Sequence, residues 1–235
     1  MNQTKQDEIM FNDFYRVIKP FTMVDAPRLF SLYKSVLYIV RAGIPGDFVE
    51  CGVYRGGCCM LMALTLRALG DTGRSIYLYD TFAGMPEPGA FDQEASGTKI
   101  PKKIWSDQQE QSHNRWCYAS LEEVRRNLAS TGVASGRLVF AVGRTEETIP
   151  ETIPQKIALL RLDTDWYNST RHELEHLFPR LSTNGVLLSD DYGHWEGHRK
   201  AIDDYLSKSA APMLLTPVSC GAVGIKTVTS NSKGY

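Results

Sequence analysis

An open α/β sheet, mostly parallel and doubly wound with helices on both faces, is the fold class the sequence predicts. Three observations predict it. Short apolar runs alternate with stretches of helical period, glycines and acids collect where the runs end, and one long connection interrupts the rhythm.

The runs are Gly46–Cys51, Ser75–Tyr79, Arg137–Val142, Ile157–Leu162 and Val186–Ser189. Their β-branched and apolar content marks buried strands. Between them Gly57–Leu69, Ser120–Ser130, Ser169–Leu181 and Glu196–Lys208 read as helices. Upstream, Leu29 to Val40 is a mostly buried helix, with Ser31, Lys34 and Ser35 as one polar stripe at i, i+3 and i+4. At the other end, Met213–Val218 and Ala222–Thr227 flank a Ser219-Cys220-Gly221 turn and predict a terminal antiparallel hairpin. The polar tail Thr229–Tyr235 is expected to fray.

The 235 residues suit one domain, 1–235. It comprises an N-terminal helical segment over 1–45 and a lid insertion over 81–119, whose prolines and interleaved Phe91, Trp105 and Trp116 suit a cover over a ligand. A formal charge of −1 argues against a nucleic-acid partner. No run reaches the ~20 apolar residues of a membrane span, and MNQTKQDEIM lacks the pattern of a signal peptide. The odd set Cys51, Cys58, Cys59, Cys117 and Cys220, without a CxxC pair, suits reduced thiols in a cytoplasmic protein.

Three motifs carry chemistry. Glu50-Cys51-Gly52-Val53-Tyr54-Arg55-Gly56-Gly57 ends the first strand; its glycines admit a ligand to the backbone, and its acid favours a cationic ligand over a pyrophosphate. Tyr79-Asp80-Thr81-Phe82 ends the second strand, where an acid in a doubly wound sheet bonds a ribose hydroxyl and Phe82 could lie against adenine. Asp163-Thr164-Asp165 and Asp190-Asp191 end the fourth and fifth strands. Adjacent parallel strands bring these carboxylates to one edge, where like charges demand a cation. An all-oxygen set selects Mg²⁺, with Mn²⁺ or Ca²⁺ as alternatives. In an extended D-x-D both side chains share a face. His172 and His176 lack the H-E-x-x-H pattern and read as a solvated helix face; His194 is placed to reach the crevice, and His198 to face solvent or the sheet.

GDFVECGVYRGG, YDTFAGMPEP, LLRLDTDWYNSTRHELEHLFPRLSTNGVLLSDDYG and HRKAIDDY resemble the TylF-type family of macrocin and mycinamicin O-methyltransferases, from about Phe21 to Ile225. The resemblance implies a Rossmann-like methyltransferase sheet and an S-adenosylmethionine- and Mg²⁺-dependent enzyme that methylates a sugar hydroxyl of a natural product, as a cytoplasmic homo-oligomer, a dimer in the family. It implies Asp163, Asp190 and Asp191 as metal ligands and Asp165 as general base. Glu50, Gly52, Tyr54, Asp80, Thr81, Phe82, Gly143, Arg144, Thr145 and Asp163 would line the cofactor site, with Thr22 and Met23 of the N-terminal segment closing over it. Tyr167, His194 and Trp195 are the residues expected to face the acceptor. The lid and His194-Trp195 depart from the family's pattern, so the acceptor is where the chain is its own. Competing readings are a catechol or other vicinal-diol O-methyltransferase and a non-catalytic S-adenosylmethionine-binding module.

Overall fold

The computed structural model describes residues 3–209 and 213–228. The expected frayed tail lies outside them. Strands β1 (Asp47–Cys51), β2 (Ile76–Asp80), β3 (Leu138–Val142), β4 (Ile157–Leu162), β5 (Leu181–Ser189), β6 (Thr216–Val218) and β7 (Gly221–Ile225) form one sheet in the order β3-β2-β1-β4-β5-β7-β6. The first five are mutually parallel, and β7 runs antiparallel to both β5 and β6. The strand order reverses between β1 and β4. In such sheets the crevice above the carboxyl ends at that point is where ligands bind.

Right-handed crossovers explain the two layers of helices, since connections running to opposite sides of β1 must cross opposite faces. On one face, α2 (Ala26–Arg41), α3 (Gly57–Ala68) and α5 (Leu121–Ala129) bury Leu29, Leu61 and Val124 against Phe48, Leu78 and Leu188. On the other, α7 (Tyr167–Leu177) and α8 (Glu196–Lys208) bury Leu174 and Ile202 against Val49, Leu160 and Leu187. α1 (Gln3–Ile18) adds Phe11 and Ile18 to the first core. Within the lid, α4 (Pro101–Asp107) is a short helix started by its proline, and α6 (Thr145–Thr148) is a single turn after β3.

The sequence and the structure differ at a few boundaries. The helix expected to reach Leu181 stops at Leu177, because Phe178-Pro179-Arg180 turns into a 3-10 segment and Leu181 already belongs to β5. Proline cannot continue the helical ladder. β5 is correspondingly longer than expected, with a register irregularity where Ile157 pairs Leu181 and Leu159 pairs Val186. Ser35 is buried instead of joining the polar stripe; its hydroxyl donates to the Ser31 carbonyl, which satisfies it inside the helix. The terminal hairpin is present but shorter at both strands.

Gly52 shows why the glycine turn is needed. Its φ is +84°, and a Cβ there would lie 2.0 Å from the Asp163 carbonyl oxygen. The end of β1 therefore crosses the end of β4 at backbone contact. Gly52→Ala is expected to destabilise the protein by more than about 1 kcal/mol, read as a lowered midpoint in urea unfolding.

Candidate active site

A cavity of about 820 Å³ opens above the carboxyl ends of the strands at the reversal point. Its walls include Thr22, Met23, Glu50, Gly52, Tyr54, Asp80 and Thr81 on one side, Gly143, Arg144 and Thr145 at the end of β3, and Asp163, Asp165, Asp190, Asp191, His194 and Trp195 beyond β4 and β5. Met85, Pro86 and Trp116 of the lid roof it. Most of the expected residues thus converge on one space.

Asp80 holds the donor-side floor. One carboxylate oxygen accepts the backbone N–H groups of Val53 (2.7 Å) and Tyr54 (3.1 Å), and the other accepts that of Phe82 (2.7 Å). The residue shapes the turn after β1 while lining the cavity. Phe82 departs from expectation: it is buried and packs on Phe140 with centroids 6.1 Å apart, outside the cavity wall. Its left-handed backbone, φ +50°, turns the ring away from the opening and into the core.

Glu50 borders the cavity, but its carboxylate is engaged within the protein. It is 1% exposed, and its oxygens are taken by Arg161 and by the Cys59 thiol. Glu50 and Arg161 are register partners on β1 and β4. Arg161, which the sequence reading passed over, gathers three carboxylates: Glu50, Asp163 at 2.7 Å and Asp190 at 2.7 Å. Burial opposes its charge, but the surrounding carboxylates hold the guanidinium protonated far into the alkaline range. Arg28 of α2 was likewise missed; its guanidinium pairs with the Asp190 side chain and also donates to the Asp190 carbonyl at 3.1 Å. The signal for Arg161 was present in the sequence, as one charge in an otherwise apolar strand. Nothing in the sequence connected Arg28 to Asp190.

The acids therefore sort differently from expectation. Asp163, Asp165 and Asp191 present carboxylate oxygens within 4.8 Å of one another, whereas Asp190 is occupied by two arginines. Burial, reinforced by mutual repulsion, pushes Asp163 and Asp191 well above the carboxylate range. Burial is also the main cause that pushes Asp165 up to about 7. Asp191 Oδ2 is buried, and no hydrogen-bond donor reaches it. Clustered oxygens and an orphaned carboxylate atom fit a hard divalent cation. Among the described residues this is the single group with such spacing.

Tyr167 is removed from the site. Its hydroxyl donates to Asp204, its ring packs on Phe91 with centroids 4.8 Å apart, and it is not part of the cavity wall. His194 and Trp195 do line the cavity, and Trp195 forms an edge-to-face cluster with Trp116 and Trp166 at centroid separations of 5.2–6.0 Å. His198 faces the sheet, bridging the Thr170 and Ser189 hydroxyls, and burial lowers it to about 4. His172 and His176 are half-buried and bond backbone carbonyls at 3.1 and 2.9 Å.

With this geometry the comparisons with known proteins agree. The family model described as Macrocin-O-methyltransferase (TylF) matches residues 12–223. The chain belongs to this family. It is 39% identical over 184 residues to the 8-demethyl-8-(2,3-dimethoxy-alpha-L-rhamnosyl)-tetracenomycin-C 4'-O-methyltransferase of Streptomyces olivaceus, covering 78% of this chain and 67% of the relative. Identity to the demethyldecarbamoylnovobiocin O-methyltransferase of Streptomyces niveus is 33% over 187 residues, covering 80% and 68%. The solved structure of the O-methyltransferase NovP superposes with a TM-score of 0.78 at 30% identity, over 88% of this chain and 83% of that one. The protein is an O-methyltransferase with the Rossmann-like sheet of that enzyme class. Among the described residues no helix is long and apolar enough to cross a membrane.

Two outcomes follow from the charges. Removing the guanidinium in Arg161→Met takes the partner from the buried carboxylates of Glu50 and Asp190 and the half-buried one of Asp163, and a loss of about 3–5 kcal/mol is expected in chemical unfolding. The second concerns Glu173, fully buried on α7, where both oxygens accept the Thr164 hydroxyl at 2.9 and 3.2 Å. Burial pushes Glu173 up to about 8 from the ordinary 4.5. A raised acid keeps its proton when folded, so its stabilising contribution is complete below 4.5 and is lost as pH rises toward 8. Glu173→Gln abolishes that loss. Thermal melts should show the variant gaining on the wild type between pH 5 and pH 8.

Proposed function

We propose that the protein transfers a methyl group from S-adenosylmethionine to a hydroxyl of a sugar carried by a natural product, with a divalent cation, Mg²⁺ foremost, at Asp163 and Asp191 and with Asp165 as general base. The acidic opening beside a glycine-and-backbone wall in one cavity carries this reading. The relatives' names, a rhamnosyl-tetracenomycin methyltransferase and a novobiocin-type methyltransferase, support the acceptor class.

The donor supplies an electrophilic methyl on a sulfonium, and the cation supplies a Lewis acid that makes a chelated hydroxyl more acidic. The chain's own residues do the rest. Asp80 fixes the turn of Val53 and Tyr54 that would cradle the donor's ribose, and Gly143–Thr145 borders the place for its base. Mg²⁺ is usually held by one or two carboxylates and leaves its other positions to water and substrate oxygens. Asp163 and Asp191 meet that need, and Asp190 steadies the pair from behind through Arg161. This replaces the expected ligand set of Asp163, Asp190 and Asp191. Asp165, the member of the trio not needed by the cation, then takes the hydroxyl proton. The Trp116–Trp195 wall and the lid keep water from the transfer.

Transfer of labelled methyl from S-adenosylmethionine to methyl α-L-rhamnoside, with and without EDTA, tests the reading; a catechol in the same assay tests the competing acceptor. Turnover of the rhamnoside that EDTA abolishes and Mg²⁺ restores is expected. Asp165→Asn should lower kcat by ~10²–10⁴ while calorimetry finds S-adenosylhomocysteine affinity unchanged. Full activity in excess EDTA, or preference for the catechol, would contradict the assignment.

A further inference from the structure

The lid carries a buried carboxylate that the mechanism leaves unused, Asp92. Its Oδ1 accepts the backbone N–H of Tyr167 at 2.8 Å, and its Oδ2 accepts that of Gly89 at 2.6 Å. Tyr167 is the first residue of α7, and the N-cap residue Trp166 makes no side-chain capping bond. Helix N-termini leave such N–H groups without intrahelical acceptors. Here the lid supplies the acceptor, from 75 positions away in the chain.

The residue before Tyr167 is gripped by the lid as well, since the Trp166 indole donates to the Pro86 carbonyl at 2.9 Å. Immediately upstream, the Trp166 N–H donates back to the Thr164 carbonyl at 2.7 Å, closing a three-residue turn around Asp165. Asp165 has φ +65°. A γ-turn of this hand is rare and strained, and strained backbone persists where its surroundings over-determine it. Two lid contacts on consecutive residues provide that restraint. The structure also makes room for Asp92: a Cβ on Gly197, in the first turn of α8, would lie 2.0 Å from Asp92 Oδ1.

We propose that Asp92 is a positioning residue that, through the Tyr167 N–H, holds the strained turn aiming Asp165 into the cavity, so that the base is in place when the lid is seated. The proposal rests on the reading of Asp165 given above.

The test uses the full chain with Asp92→Ala, Asp92→Asn, Gly197→Ala and Asp165→Asn. Amide hydrogen exchange in the S-adenosylhomocysteine complex needs no acceptor. Exchange at Tyr167 should quicken about tenfold or more in Asp92→Ala while the amides of β4 stay protected. With methyl α-L-rhamnoside and saturating Mg²⁺, kcat should fall by ~10–100-fold, with S-adenosylhomocysteine affinity unchanged. Asp92→Asn retains a carbonyl for Tyr167 and should recover much of kcat. Gly197→Ala, which keeps the carboxylate but displaces it, should behave like Asp92→Ala. Unchanged Tyr167 exchange, or normal kcat in Asp92→Ala beside an inactive Asp165→Asn, overturns the role of Asp92 and leaves the base intact. Loss of kcat, donor-site affinity and β4 protection together, without rescue by Asn, also overturns it, as a purely structural effect. A fully active Asp165→Asn overturns the base itself, and the proposal with it.

Discussion

A guanidinium buried in the middle of a parallel sheet is the constraint around which this site is arranged. Arg161 sits on β4 with apolar neighbours before and after it in the strand. A buried charge is tolerated only when paired and hydrogen-bonded, and the pairing here draws on β1 through Glu50, on the end of β4 through Asp163 and on the end of β5 through Asp190. One side chain thereby fixes the relative positions of three strand ends. Arg28 extends the same network into α2 and ties the N-terminal helices to the crevice. With two guanidiniums facing the five acids Glu50, Asp163, Asp165, Asp190 and Asp191, the region holds an excess of carboxyl groups over cations. That excess is concentrated where Asp165 and Asp191 lack cationic partners, which is the place a metal ion and a proton acceptor would use.

The alternation of strands and helices was legible because it is a local property: β4 and α8 have the same bounds in the sequence reading and in the structure, and β1 and β2 differ by single residues. The convergence of the motifs was legible too, since doubly wound sheets bring strand ends together. The division among the acids was not. Asp190 and Asp191 are neighbours in sequence and end a strand together, yet one turns to Arg28 and Arg161 and the other to Asp163 and Asp165. That choice is made by partners on other elements, Arg28 among them 162 residues away, which no spacing rule contains. Phe82 and Tyr167 were misplaced for a related reason: a motif names a residue, while the backbone's φ or the helix's first turn decides where its ring goes.

The donor and acceptor halves of the cavity are built by different means. Beside β1, β2 and β3 the walls are glycine and backbone, held by Asp80, and they leave little freedom for side-chain variation. Beside β4 and β5 the walls are charges. The third component is a cluster of indoles in which Trp116 of the lid meets Trp166 before α7 and Trp195 before α8, and Trp116 is the partly exposed member. Aromatic faces of this kind accept apolar ring surfaces without dictating their substituents.

The lid is not free to vary throughout. Residues 89–99 are stitched to the rest of the molecule: Gln93 and Ala95 bond Glu196 and His194 through the backbone, and the buried carboxylate of Glu94 gathers Ser96, Thr98 and Lys99. Pro86 and Asp92 hold the corner between β4 and α7. By contrast, 106–113 is largely exposed and bonded mainly within the lid, apart from the cavity-lining Gln108. Substitution there leaves the charge network untouched, whereas substitution at Asp92 removes an acceptor beside the Asp165 turn. On the roles proposed above, the same insertion then combines an exposed stretch with a clamp at the corner between β4 and α7, and the two are held by separate contacts.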